Sequence, residues 1–276
     1  MLGLDKFYNI DCLEGLKLLS NDSIDLIVTS PPYDGIRKYN GYYFDFENIV
    51  KEIYRTIKPG GVVVWVVGDQ TKNGSETGTS FRQALTFLNE GFKLHDTMIY
   101  EKNTSSFPTR RNGNRYTQIF EYMFIFSKGK PKTANLICDK ANKWAGYTNW
   151  GKNTKRDADN DLKVTSDIKP VPDFSPRNNI WKYQVNGGYA TKDKIAHNHP
   201  AIFPDKLAKD HILTWSNEGD IVLDIFAGSG TTLKMAKLNN RRYLGFEISE
   251  EYCEIIKERL AIADKQMQEQ QLTYIN

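Results

Sequence analysis

Along this chain short β-branched and aromatic runs alternate with stretches whose apolar residues recur every three or four positions, the pattern of strand and helix taken in turn. Residues 7–10, 24–28, 62–67, 221–223 and 243–246 read as buried strands. A polar or acidic residue follows each of them: Asp11, Ser30, Asp69, Asp224 and Glu247. Between them residues 12–19, 46–57, 81–89, 231–238 and 250–263 carry the helical period, and Lys58-Pro59-Gly60-Gly61 and Gly91 supply stop signals for two of these helices. Such alternation predicts a doubly wound, mostly parallel α/β sheet. In an open parallel sheet ligands bind at the carboxyl ends of strands, so the five polar residues should gather on one rim.

Residues 92–100 and 118–126 read as a further pair of strands, bridged by a polar loop over 101–117 that holds Arg110, Arg111 and Arg115. From 130 to about 197 the periodicity fades, and Asn, Lys, Gly, Pro and isolated aromatic residues dominate. The expected division is 1–129, an irregular region 130–195, and 196–276; a chain of 276 residues can bury one substantial core with a small appendage. The Gln-rich stretch 266–276 reads as a frayed helix end.

The formal charge of +3 hides an asymmetry. Residues 101–200 hold 18 Lys or Arg against 9 Asp or Glu, a balance of +9 that leaves −6 for the remainder. A basic middle carrying Trp144, Tyr147, Trp150, Trp181, Tyr183 and Tyr189 suits a module that meets nucleic acid by phosphate contacts and stacking, although each ring taken singly reads as core of that module. The three cysteines, Cys12, Cys138 and Cys253, form no Cys-x-x-Cys pair, and His197 and His199 read as loop residues, so no metal site is expected. The N-terminal residues lack an apolar signal segment, and the strongest apolar run, 62–67, is too short to span a bilayer; a cytoplasmic setting without membrane contact is expected.

Two segments carry candidate chemistry. Thr29-Ser30-Pro31-Pro32-Tyr33 follows a strand and is fixed by two prolines, which remove two amide donors and leave carbonyls free to accept. An amine conjugated to a nucleobase is a poor nucleophile, so a catalyst must accept its N–H groups while its lone pair localises. Ser30 Oγ and the Pro31 carbonyl are the acceptors assigned here, with Tyr33 stacking on a flipped base. Asp69 is a weaker candidate for receiving the proton, beside an ordinary turn role. The second segment, Asp224-Ile225-Phe226-Ala227-Gly228-Ser229-Gly230-Thr231-Thr232, is a glycine turn opening a helix, where backbone can approach a ligand closely. It lacks a P-loop lysine and the Gly-x-Gly-x-x-Gly spacing, but Glu247 ends the next strand, where a ribose diol is usually held. A nucleoside ligand is expected, with Asp11, Phe226, Gly228, Gly230, Thr231 and Glu247 on its rim.

These segments resemble, in their order, the amino-group DNA methyltransferases that use S-adenosylmethionine, in the class whose catalytic motif precedes the recognition region and whose cofactor motif comes last. Ser30-Pro31-Pro32-Tyr33 is similar to the catalytic motif and Phe226-Ala227-Gly228-Ser229-Gly230 to the cofactor motif. Asn9-Ile10-Asp11-Cys12 is similar to the adenine-holding segment, and Gly245-Phe246-Glu247 to the ribose-holding one. The stretch from Tyr122 to Gly129 resembles the strand before the recognition region, and His199-Pro200-Ala201-Ile202-Phe203-Pro204 the segment opening the cofactor half.

The resemblance implies a seven-stranded, Rossmann-like sheet with an antiparallel edge hairpin and a small irregular target-recognition module at 130–195. It implies catalytic residues Ser30, Pro31, Pro32 and Tyr33. Its cofactor contacts would be Asp11, Cys12, Asp224, Phe226, Gly228, Gly230, Thr231, Glu247, His199, Pro200 and Phe203, with Arg110, Arg111 and Arg115 on DNA. The partners it implies are duplex DNA and a cognate restriction endonuclease, with the chain itself a monomer or homodimer. Serine first in the tetrapeptide usually accompanies cytosine-N4 methylation in that family and aspartate adenine-N6, so Ser30 points to cytosine, with adenine the alternative. Methylation of a ring carbon needs a cysteine, usually after proline in its own family; here Asp11, Ile137 and Tyr252 precede the three cysteines. Two rivals of other classes stand beside these: a methyltransferase acting on RNA or protein glutamine, and an inactive DNA-binding protein that keeps the fold.

Overall fold

The computed structural model describes residues 2–32, 44–103, 115–148, 154–164, 169–185 and 188–275. Two units separate, Leu136–Asn178 and the rest of the chain. In chain order the larger unit begins with β1 (Lys6–Asn9), α1 (Cys12–Lys17), β2 (Ile24–Thr29), α2 (Phe46–Thr56) and β3 (Ile57–Val67). A small hairpin of β4 (Thr71–Lys72) and β5 (Ser75–Glu76) precedes α3 (Thr79–Glu90), β6 (Lys93–Lys102) and β7 (Phe120–Ser127). The smaller unit holds β8 (Lys140–Ala141), β9 (Thr154–Arg156), β10 (Leu162–Val164) and β11 (Phe174–Ser175). The chain then returns to the larger unit with β12 (Ile180–Tyr183), α4 (Asp205–Trp215), β13 (Ile221–Asp224), α5 (Thr231–Leu238), β14 (Arg242–Glu247) and α6 (Glu250–Ile275).

The main sheet has eight strands in the order β1-β14-β13-β2-β3-β7-β6-β12. The first five are mutually parallel, so their carboxyl ends share one rim, and β7 is antiparallel to both β3 and β6. From β2 the chain winds through α2 toward β3, and from β13 it winds through α5 toward β14. The order therefore reverses between β13 and β2, and the crevice of an open α/β sheet lies at that point.

Burial explains why these runs became strands. All six residues of β2 are buried, Asp25 included. Its carboxylate accepts from the Ile221 amide at 3.0 Å and from the ammonium groups of Lys58 and Lys132 at 2.7 Å each. Burial pushes this carboxyl up, but the amide and the two cations outweigh it and hold the group below its ordinary value. On the face covered by α2 and α3, Phe87 stacks on Phe126 with ring centroids 4.3 Å apart, and Trp65 lies against both Phe46 and Phe226. Trp65 Nε1 donates to Gln83 at 2.8 Å, which satisfies the polar atom of a fully buried indole.

Several expectations change. The sheet has one strand more than seven, and the β6–β7 hairpin is not its edge, because β12 pairs in parallel with β6. Alternation in Ile180-Trp181-Lys182-Tyr183 turns Trp181 and Tyr183 inward: Trp181 stacks on His211 at 4.7 Å and Tyr183 donates to Asp210 at 2.8 Å. These two aromatics are core of the larger unit. Helix α4 was not marked by the sequence pattern, and α6 continues through the Gln-rich stretch to Ile275, where Gln, Glu, Lys and Met are good helix formers.

The smaller unit, taken by itself, pairs β8 with β11 and β9 with β10, both antiparallel. Gly146 and Val171 amides donate to the carbonyls of Val171 and Tyr147, bracing a turn on which Trp144 and Tyr147 are 54% and 43% exposed. Residues 136–178 hold 8 Lys or Arg against 6 Asp or Glu, so most of the basic excess of residues 101–200 lies outside this unit. Among the described residues no helix is long and apolar enough to cross a membrane.

Candidate active site

The rim between β13 and β2 is built from backbone first. After Asp224 the chain turns tightly: Ala227 donates to the Phe246 carbonyl at 2.9 Å and Gly230 to the Ala227 carbonyl at 2.7 Å. Gly228 and Gly230 both take positive φ, +51° and +76°, which favours residues without a Cβ. A Cβ on Gly228 would lie 3.1 Å from the His199 ring. The loop leads into α5, whose first amides point back over it.

Glu247 closes the loop from β14. One of its oxygens accepts the Gly228 amide at 2.8 Å and the other the Ser249 amide at 2.8 Å, so each retains lone-pair capacity for another donor. The side chain is buried, which pushes its carboxyl up although the two amides hold it down. The β1 end is tied to the same residue, because Ile10 N and Asn9 Nδ2 both donate to the Glu247 carbonyl, at 3.1 and 2.9 Å. Asp11 then caps α1, accepting from Leu13 N at 2.9 Å and Glu14 N at 3.3 Å. Cys12, buried beside it, has its thiol pushed up by burial and by the Asp11 charge, and burial pushes Cys253 up to about 11. Neither thiol suits a nucleophile.

Across the crevice the catalytic candidates follow β2. Ser30 and Pro32 are half-buried and Pro31 is buried. Thr29 Oγ1 donates to Asp224 Oδ1 at 2.6 Å, and Thr232 Oγ1 donates to the Val28 carbonyl at 3.1 Å. The proline turn and the glycine loop are thus bonded neighbours. Asp224 is buried, and burial pushes its carboxyl up to about 6, with Thr29 and the Phe226 amide opposing.

The remaining assigned residues divide. His199 is buried under the loop, its Nδ1 2.8 Å from the Ala201 carbonyl and its ring edge-on to Tyr252 at 4.4 Å, while Pro200 is exposed. Phe226 is partly buried between Trp65 and Phe44. Thr231 turns its hydroxyl inward, donating to the Phe203 carbonyl at 3.1 Å and accepting from Arg259 at 2.7 Å, which leaves its backbone for a ligand. Asp69 accepts from Ser80 N at 3.0 Å, from Ser80 Oγ and from Thr77 Oγ1, the role of a turn and helix-start anchor. Tyr33, Trp150, Arg110 and Arg111 lie outside the described residues. Exposed Arg115 donates to the Gly74 carbonyl of the small hairpin.

Sequence reasoning missed the support of this loop. Arg259, fully buried on α6, donates through Nε to Asp193 at 2.9 Å, through Nη1 to the Ser229 carbonyl at 2.9 Å, and through Nη2 to Asp205 at 2.6 Å. Lys234 of α5 adds contacts of 2.9 and 2.7 Å to the same Asp193. The available signal was phase: Arg259 falls on the apolar stripe of Ile255, Ile256, Leu260 and Ala263, and Lys234 sits in the apolar run of α5.

A family model named for N6 and N4 methyltransferases and described as DNA methylase matches residues 24–258. The orphan methyltransferase M.BamHII of Bacillus amyloliquefaciens is 60% identical over 238 residues, covering 86% of this chain and 89% of its own length. Among solved structures, the PvuII DNA methyltransferase (cytosine-N4-specific) aligns with a TM-score of 0.67 at 23% identity over 92% of this chain and 85% of that one. M1.HpyAVI in complex with SAM aligns at 0.57 and 22% identity over 92% of this chain and 98% of that one.

Proposed function

We infer, on the premise that this chain belongs to the DNA methylase family of N6 and N4 methyltransferases, that it methylates the exocyclic N4 of cytosine in duplex DNA. The observation that supports the site assignment is the 2.6 Å bond from Thr29 to Asp224, which joins the strand leading to the turn assigned to the amine with the strand leading to the loop assigned to the nucleoside. The residues present fit S-adenosylmethionine. Gly228 and Gly230 hold the loop at positive φ and let it pack against His199 and Ile256 without a Cβ, and the buried Glu247 carboxylate keeps an acceptor position on each oxygen for a ribose diol. Bound there, the cofactor would supply an electrophilic methyl group on a sulfonium centre; the structural neighbour M1.HpyAVI is a complex with SAM.

The chain's own residues handle the amine. Ser30 Oγ and the Pro31 carbonyl accept its two N–H groups and direct its lone pair out of conjugation, while Tyr33 stacks on the extruded base. Serine rather than aspartate in first position favours cytosine. Residues 1–129 supply this turn, 196–276 most of the cofactor rim, and the unit inside 130–195 reads DNA with its exposed Trp144 and Tyr147. The reading places the chain in the cytoplasm, with duplex DNA as its partner.

The product decides the base. Nucleosides from DNA of cells expressing the chain should contain N4-methylcytosine by mass spectrometry, absent from cells without it; N6-methyladenine in its place would assign the adenine alternative, and neither would refute DNA methylation. A second measurement concerns the cofactor. Each hydrogen bond to a charged group is worth about 1.5–3 kcal/mol, so Glu247→Ala, losing both diol contacts, should weaken S-adenosylmethionine binding by about a hundredfold or more in calorimetry. Unchanged affinity would remove Glu247 from the site.

A further inference from the structure

We propose that the Thr29 hydroxyl is a positioning group that registers the catalytic turn against the cofactor loop, an assignment that rests on the methyl-transfer reading above. The ladder between β2 and β13 pairs Leu26 with Val222 and Ile27 with Leu223, and stops there. Beyond it the strand ends are joined by side chains. Asp224 Oδ1 accepts the Thr29 hydroxyl at 2.6 Å and the Phe226 amide at 3.1 Å. One oxygen atom therefore fixes both where the glycine loop begins and where the proline turn begins.

The proline turn needs such a tie. Pro31 and Pro32 carry no N–H, so the backbone at those two positions has no donor with which to hold a neighbouring loop. Thr29, one residue before Ser30, supplies the missing donor from a side chain that is itself buried. The 2.6 Å separation is that of a charge-assisted O–H···O⁻ bond, among the stronger hydrogen bonds available to a protein. A shift of Ser30 by a fraction of an ångström misplaces the acceptor for the target amine, and misplacements of that order are costly in rate. Nothing in this geometry requires Thr29 to touch cofactor or base.

Two substitutions separate the hydroxyl from the methyl group. Thr29→Val keeps the branched shape and deletes the donor, whereas Thr29→Ser keeps the donor and deletes the methyl. The full chain is assayed with tritiated S-adenosylmethionine and unmethylated duplex DNA made by polymerase amplification of genomic DNA. For Thr29→Val, kcat is expected to fall about tenfold or more while cofactor affinity in calorimetry stays within about threefold, because Phe226 still holds Asp224 and the Glu247 rim is untouched. Thr29→Ser should restore kcat to within about twofold of wild type. A role in packing alone predicts the opposite ranking. Wild-type kcat in Thr29→Val, or equal impairment in both variants, overturns the assignment. If Thr29→Val does not fold, Thr29→Ser decides: wild-type turnover supports the hydroxyl and reduced turnover overturns it. A wild-type chain that transfers no methyl group to this DNA overturns the functional reading, and this assignment with it.

Discussion

Replacing Arg259 by methionine is expected to destabilise the larger unit by about 3–5 kcal/mol, the cost of breaking a buried ion pair from one side. The guanidinium is fully buried and donates at once to Asp193, Asp205, Thr191, Thr231 and both oxygens of Ser229, so its loss strips each of these acceptors of a donor. Two of them keep other donors: Lys234 holds Asp193, and Thr191 donates to Asp205 at 2.8 Å. These residual contacts put the loss toward the lower end of that range. The effect also has a pH signature. Burial pushes the Asp193 carboxyl up, but Lys234 and Arg259 outweigh it and hold the group below its ordinary value. Its contribution to stability is accordingly complete above the unfolded carboxyl pKa of about 3.9 and is lost as pH falls through the lowered folded value. Urea unfolding at neutral pH and below pH 4 tests both parts. The variant should be weaker at neutral pH, and its stability should fall less steeply in acid than that of the wild type. A change below about 1 kcal/mol would show that desolvation of the cluster cancels its attraction.

Ser30→Ala should lower the rate of methyl transfer about a hundredfold at saturating cofactor and DNA, by analogy with the removal of one positioned hydrogen-bonding group from an oxyanion hole. The expectation follows from division of labour at the rim. Ser30 follows β2 and is assigned to the target amine, whereas the loop and Glu247 assigned to the cofactor are braced by the bonds from Gly228 to Glu247, Ala227 to Phe246 and Arg259 to Ser229. Cofactor affinity should therefore stay nearly intact while kcat falls. Single-turnover transfer and calorimetry on the same preparation separate the two quantities. Transfer at the wild-type rate would remove Ser30 from the chemistry, and a parallel loss of cofactor affinity would make it a binding residue instead.

The parts of the fold legible in the sequence were those where one chemical requirement acts locally. Residues 231–238 were read as a helix with the bounds the structure gives, because the preceding glycines and the apolar period agree. The parallel strands β2, β3, β13 and β14 were legible because strands covered on both faces are built from buried, mostly apolar runs. The proline turn and the glycine loop were legible for a related reason, since proline and glycine carry their backbone requirement in their own covalent structure. Strand β12 was not, because four residues of alternating character in an irregular region specify a partner only once β6 presents a free edge, with His211 and Asp210 lying beneath.

What tertiary structure alone decided is which polar side chains meet. Thr29 and Asp224 lie 195 positions apart and Arg259 and Asp193 lie 66 apart, and nothing periodic relates them. A hydrogen bond of 2.6 Å depends on the relative placement of two strand ends to within tenths of an ångström, a quantity set by sheet register, by helix packing and by every side chain between. The sequence by itself determined the parallel α/β core and the polar groups at its strand ends, since these follow from burial and backbone conformation. Only the folded chain decided which of those groups support the loop and which remain turned toward a ligand, because buried donors and acceptors must find partners wherever the packing brings them.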